Sequence, residues 1–113
     1  MNMKKIKIAL IGAGNMANEY LEILSKNKNV ELIGIYSRTF LKSEILKNKY
    51  NIKYNSKSII DLYKITKPNI VLVTVPGNVI LKTTIKLINF NWLIFIEKPP
   101  GLNFLEFKKL LKI

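Results

Sequence analysis

Three short groups of residues in this 113-residue chain are of types, and at spacings, that could do chemistry: Gly12-Ala13-Gly14, Ser37-Arg38-Thr39 and Glu97-Lys98-Pro99. Gly12 and Gly14 would let the backbone turn tightly and come close to a pyrophosphate, while the amino terminus of the helix that follows offers free N–H groups. The same glycines also suit a strand-to-helix turn that is glycine for steric reasons only. Ser37-Arg38-Thr39 stands at the end of a second apolar run, where a carboxylate would bind the 2′-hydroxyl of NAD. Two hydroxyls around a guanidinium instead suit a 2′-phosphate, because arginine matches phosphate oxygens in a fixed fork. That favours NADP over NAD; the plainer alternative is a helix-capping Thr39 beside a solvated arginine. Lys98 could hydrogen-bond a substrate hydroxyl and share its proton as hydride leaves the adjacent carbon. It could equally be a surface lysine in a turn stiffened by Pro99 and Pro100. Glu97 could pair with a nearby cation or accept a hydrogen bond on the substrate side.

Composition narrows the chemistry further. The chain has no cysteine and no histidine, which excludes disulfides, thiolate catalysis and the commonest metal ligands. No metal site is expected, and a catalytic role would fall to lysine, tyrosine or a carboxylate. The formal net charge is +12, a value that can mark nucleic-acid binding. All the basic residues but Arg38 are lysines, however, spread from Lys4 to Lys112 without a dense block. No specific nucleic-acid partner is expected, although the positive field favours an anionic cofactor. The basic start and following apolar run faintly resemble a signal peptide. That run is short, ends in glycines and leads into a polar helix, which fits a first strand better. No apolar stretch approaches the length of a membrane span, so the expected location is cytoplasmic, with no membrane partner.

Elements that would position these groups can be read in order. Ile6, Ile8, Leu10 and Ile11 form a buried strand, and a helix over 15–26 follows with Met16, Ala17, Tyr20, Leu21 and Leu24 at helical spacing. A strand over 30–36 has Val30, Leu32, Ile33 and Ile35 as core candidates. Thr39 would cap a helix over 40–49 carrying Leu41, Ile45 and Leu46. A short strand over 52–54 and a helix beginning at Ser56 or Ser58, with Ile59, Ile60, Leu62 and Tyr63, come next. The near-continuous apolar run 69–75 suits a parallel strand covered on both faces. A helix over 79–88, a strand over 92–96 and a helix over 103–111 complete the pattern. Strands alternating with helices predict a three-layer, doubly wound α/β sheet, and right-handed crossovers would bring the loops after Ile11, Tyr36, Val75 and Ile96 to one edge.

Taken together, AxIGAGNMA near the start, IYSRT after the second strand, VLVTVP in the middle and FIEKPPGLN near the end resemble the Gfo/Idh/MocA oxidoreductases. The order and spacing match over nearly the whole chain. The resemblance implies a Rossmann-type domain over 1–113 that binds NAD or NADP. Its members oxidise or reduce a hydroxyl or carbonyl, mostly on sugars and cyclitols. It implies cofactor contacts from Gly12, Gly14, Asn15, Met16, Ser37 and Arg38, and from Val75, Pro76 and Asn78, with Thr39 added as the second hydroxyl beside Arg38. It also puts Glu97 beside the nicotinamide ribose and gives Lys98 a substrate-contacting, catalytic role. Ile80 stands where many members carry a histidine.

The resemblance further implies a chain that stops inside the helix after Glu97-Lys98-Pro99, without the substrate domain of the family. The strand over 92–96 is then expected to be an exposed apolar edge, and an open site should turn over little or no substrate. A complementing substrate-domain chain, or self-association through that edge, would be the partner. A non-catalytic nucleotide-binding module and a basic nucleic-acid-binding protein are the competing classes. They are separated by cofactor affinity and by salt-dependent DNA binding.

Overall fold

The computed structural model describes residues 5–75 and 90–96. Five strands and three helices alternate: β1 (Ile6–Ile11), α1 (Asn15–Leu24), β2 (Val30–Tyr36), α2 (Phe40–Tyr50), β3 (Asn55–Ser56), α3 (Ile59–Thr66), β4 (Ile70–Val73) and β5 (Leu93–Ile96). The strands make one sheet in the order β3-β2-β1-β4-β5, and each pairing is parallel. Parallel strands put all their carboxyl ends at one edge, and the winding reverses between β1 and β4. That reversal is the point where open α/β sheets bind ligands.

Alternation along β1 divides the core. Ile8 and Leu10 face a cluster with Ala17 and Leu21 of α1, Leu46 of α2, and Leu32, Ile35 and Leu72. Ala9 and Ile11 face the opposite cluster, with Leu62 of α3, Val71 and Val73. Helices on both faces of the sheet make the three-layer α/β architecture of a Rossmann-type fold. A bulge adjusts β2: Ile8 pairs with Leu32 but Ala9 pairs with Gly34, so Ile33 is the extra residue. The bulge explains why Leu32 and Ile35, three apart, share one cluster. Gly34 lies under α3, where a Cβ would meet Leu62 Cδ1 at 2.7 Å and Thr66 Cγ2 at 2.9 Å.

Some expectations require correction. Ile6, Leu41, Ile45 and Ile60 are exposed and not core. On α2 the buried positions are Ser43 and Leu46, with Tyr50 packed against the same cluster. The Ser43 hydroxyl donates to Phe40 O at 3.0 Å, which satisfies it inside the core. Thr39 is the N-cap of α2, but its side chain makes no capping bond. The third strand is Asn55–Ser56 and not 52–54, and Ser58 caps α3 by accepting from Asp61 N at 3.0 Å. The first helix ends at Leu24 and the strand over 69–75 is ordered as β4 over Ile70–Val73. The expected helices over 79–88 and 103–111 lie outside the described residues.

Candidate functional site

At the carboxyl edge of the sheet, β1 ends in a turn held from both neighbouring strands. Gly12 N–H donates to Tyr36 O at 2.8 Å, and Thr74 N–H donates to Ile11 O at 2.8 Å. The Thr74 hydroxyl donates to the same carbonyl at 3.2 Å. Gly12 adopts φ +114°, and a Cβ there would stand 2.5 Å from Thr74 Oγ1 and 3.1 Å from the Thr74 carbonyl. Both facts demand glycine whatever binds nearby. The steric reading therefore accounts for Gly12.

Gly14 is different. Its φ of −89° is open to any residue, and a Cβ there would meet nothing within 4 Å. It is exposed and serves as the N-cap of α1, which no side chain caps and whose first turn holds no acidic residue. The first N–H groups of that turn, those of Asn15 and Met16 among them, have no partner within the helix. Ala17, three residues on, is fully buried, so α1 approaches the sheet closely. Open space, unpaired donors and a positive helix end are what a pyrophosphate requires, and the residues present fit a dinucleotide.

Ser37, Arg38 and Thr39 stand one strand over, beyond the end of β2. The Ser37 hydroxyl donates to Thr39 O at 2.5 Å, which tightens the turn into α2. Arg38 and Thr39 are exposed. The guanidinium of Arg38 has no hydrogen-bond or ion-pair partner among the described residues, and α2 begins without an acidic residue in its first turn. Val75 is half-buried just beyond β4 and packs against the cluster around Ile11 and Val73. The structure thus brings the glycine turn, Ser37-Arg38-Thr39 and Val75 to one edge. Pro76, Asn78, Glu97 and Lys98 lie outside the described residues. Among the described residues no group of histidine, cysteine or carboxylate side chains could hold a metal, and no helix is long and apolar enough to cross a membrane.

One residue escaped the sequence reading. Thr74 reads there as part of an apolar run, yet it is the polar member that braces the glycine turn. Its place at the end of VLVTV was the available signal, since a hydroxyl at a strand terminus can reach a neighbouring carbonyl.

The sheet order, the glycine turn at its switch point and the open helix end define a dinucleotide-binding α/β domain. Residues 6–113 match the Gfo/Idh/MocA family, an oxidoreductase family with an NAD-binding Rossmann fold, and the chain belongs to it. The WlbA dehydrogenase of Chromobacterium violaceum, solved with NADH and UDP-GlcNAcA, superposes with a TM-score of 0.85 at 22% identity, over 99% of this chain and 32% of that one. Myo-inositol 2-dehydrogenase of Lactobacillus plantarum superposes with a TM-score of 0.79 at 24% identity, over 96% of this chain and 32% of its own. Glutamyl-tRNA reductase of Sulfurisphaera tokodaii is 35% identical over 74 residues, which are 66% of this chain and 17% of that protein. The chain therefore spans about a third of the length of these solved structures.

Proposed function

We propose that this chain is the cofactor-binding part of an oxidoreductase that moves hydride between NAD(P) and a hydroxyl or carbonyl of a sugar or related compound. The observation that carries the reading is Gly14, a glycine with no conformational or steric need to be one, at an uncapped helix end on the switch-point edge. Family membership supports it, as do the names of two structural neighbours, one a dehydrogenase solved with NADH and a nucleotide sugar and the other a cyclitol dehydrogenase.

In this reading Gly12, Gly14, Asn15 and Met16 hold the pyrophosphate, and Ser37, Arg38 and Thr39 hold the adenosine ribose. Val75, Pro76, Asn78 and Glu97 serve the nicotinamide half, and Lys98 gives or takes the proton of the substrate hydroxyl. The bound nicotinamide supplies the hydride chemistry. Residues 1–113 form one cofactor domain, which works in the cytoplasm. Turnover in this reading needs a substrate domain to close over the bound cofactor. Leu93 and Phe95 of β5, more than half exposed at 59% and 52%, offer such a domain an apolar surface.

Arg38 makes NADP the preferred cofactor. Calorimetric titration of NADP and NAD into the chain, with and without Arg38→Ala, tests both parts. Both dinucleotides bind, NADP more tightly, and the substitution weakens NADP about tenfold or more while sparing NAD, the scale of a lost charge-assisted contact. Equal losses for the two would remove the assigned role of Arg38. Absence of saturable binding by either would overturn the whole reading.

A further inference from the structure

We propose that Thr74 is a positioning residue for the pyrophosphate turn, an inference that rests on the dinucleotide reading above. Thr74 is the first residue past β4, and Gly12 is the first past β1. The carbonyl of Ile11 already accepts the Thr74 backbone N–H at 2.8 Å. The hydroxyl bond to the same oxygen at 3.2 Å is therefore not needed to satisfy that carbonyl. What the hydroxyl adds is placement. Held by that bond, Oγ1 stands in the space a side chain of Gly12 would take, 2.5 Å from the ideal Cβ position, and a valine methyl of the same volume has no bond to keep it there.

The turn is consequently confined on two sides. Tyr36 O holds the Gly12 N–H from β2, one residue before Ser37. Thr74 confines the same glycine from β4, one residue before Val75. The two loops assigned to the two ends of the dinucleotide are thus tied to one turn, and the turn sets where the N–H groups of α1 meet the pyrophosphate. Removing the hydroxyl alone leaves the strand pairing and both backbone bonds in place, but frees the turn to shift.

Thr74→Val keeps the side-chain volume, Thr74→Ala empties the space over Gly12, and Thr74→Ser restores the hydroxyl. The ligands are NADP and ADP-ribose, which contain a pyrophosphate, and adenosine 2′-monophosphate, which does not. The valine and alanine variants should lose about three- to tenfold in affinity for NADP and ADP-ribose, the effect of one neutral hydrogen bond. Affinity for adenosine 2′-monophosphate should be unchanged, and the serine variant should bind all three as the wild type does. General loosening of the fold would weaken the three ligands together, and that result would overturn the inference. So would wild-type affinity for NADP in the valine and alanine variants, with the dinucleotide reading left standing. A wild-type chain that binds no dinucleotide would end both.

Discussion

Gly12 and Gly14 stand two residues apart and are glycine for different reasons. Gly12 answers to the fold, through its positive φ and the Thr74 side chain. Gly14 has neither constraint, which is the ground for assigning it to a ligand. Gly12→Val is accordingly a poor probe of binding, because it should destabilise the chain by about 1–3 kcal/mol, the scale of a strained backbone position. Urea denaturation followed by the fluorescence of Trp92, the one tryptophan in the chain, would measure that loss. An unchanged midpoint would show that the turn tolerates a side chain. The position of the turn was legible in the sequence, as were Ser37-Arg38-Thr39 beside it. The division of labour between the glycines was not, because the atom that decides it belongs to Thr74, 62 residues further along the chain.

Elements were legible where periodicity is strong. β1, β2 and β5 are apolar runs bounded by polar or glycine residues, and they fall where the pattern puts them. The inner face of α2 was not legible, because Leu41 and Ile45 advertise a stripe that the fold turns to solvent, while Ser43 is buried through a bond to its own helix backbone. Caps show the same limit. Ser58 and Thr39 are equally good capping residues by type, yet only Ser58 makes the bond. Ser58→Ala should cost about 1 kcal/mol and Thr39→Ala close to nothing, a contrast that paired denaturation curves would check. The α1–α2 contact carries a pH dependence. Tyr50 places its hydroxyl 2.8 Å from Glu22 Oε1 and from Asn18 Oδ1. Burial, and then the bond to Glu22, raises its pKa above the usual 10.0. A raised folded pKa gives stability that is complete below the unfolded value and is lost as pH rises through the folded one. The stability difference between wild type and Tyr50→Phe should therefore be constant at neutral pH and shrink above about pH 10.

At the scale of the whole molecule, the parallel sheet with helices on both faces was legible from alternation alone, and the family from four motifs in the right order. The net charge of +12 was ambiguous in the sequence, and on this fold it acts as a general attraction for an anionic dinucleotide. Added salt should weaken NADP more than NAD, since NADP carries the additional phosphate; equal salt slopes would argue against a charged 2′-phosphate contact. The central claim is that the open end of α1 at Gly14 cradles a pyrophosphate. Its most direct test is a titration of NADP into wild type and Gly14→Val, with circular dichroism and thermal unfolding recorded for both. A Cβ at Gly14 meets no protein atom within 4 Å, so the account predicts a folded variant with wild-type spectra, destabilised by no more than the roughly 1 kcal/mol of losing a glycine N-cap, beside a loss of affinity of about tenfold or more, as expected when helix N–H contacts to phosphate are blocked. Wild-type affinity in a folded Gly14→Val variant would contradict it.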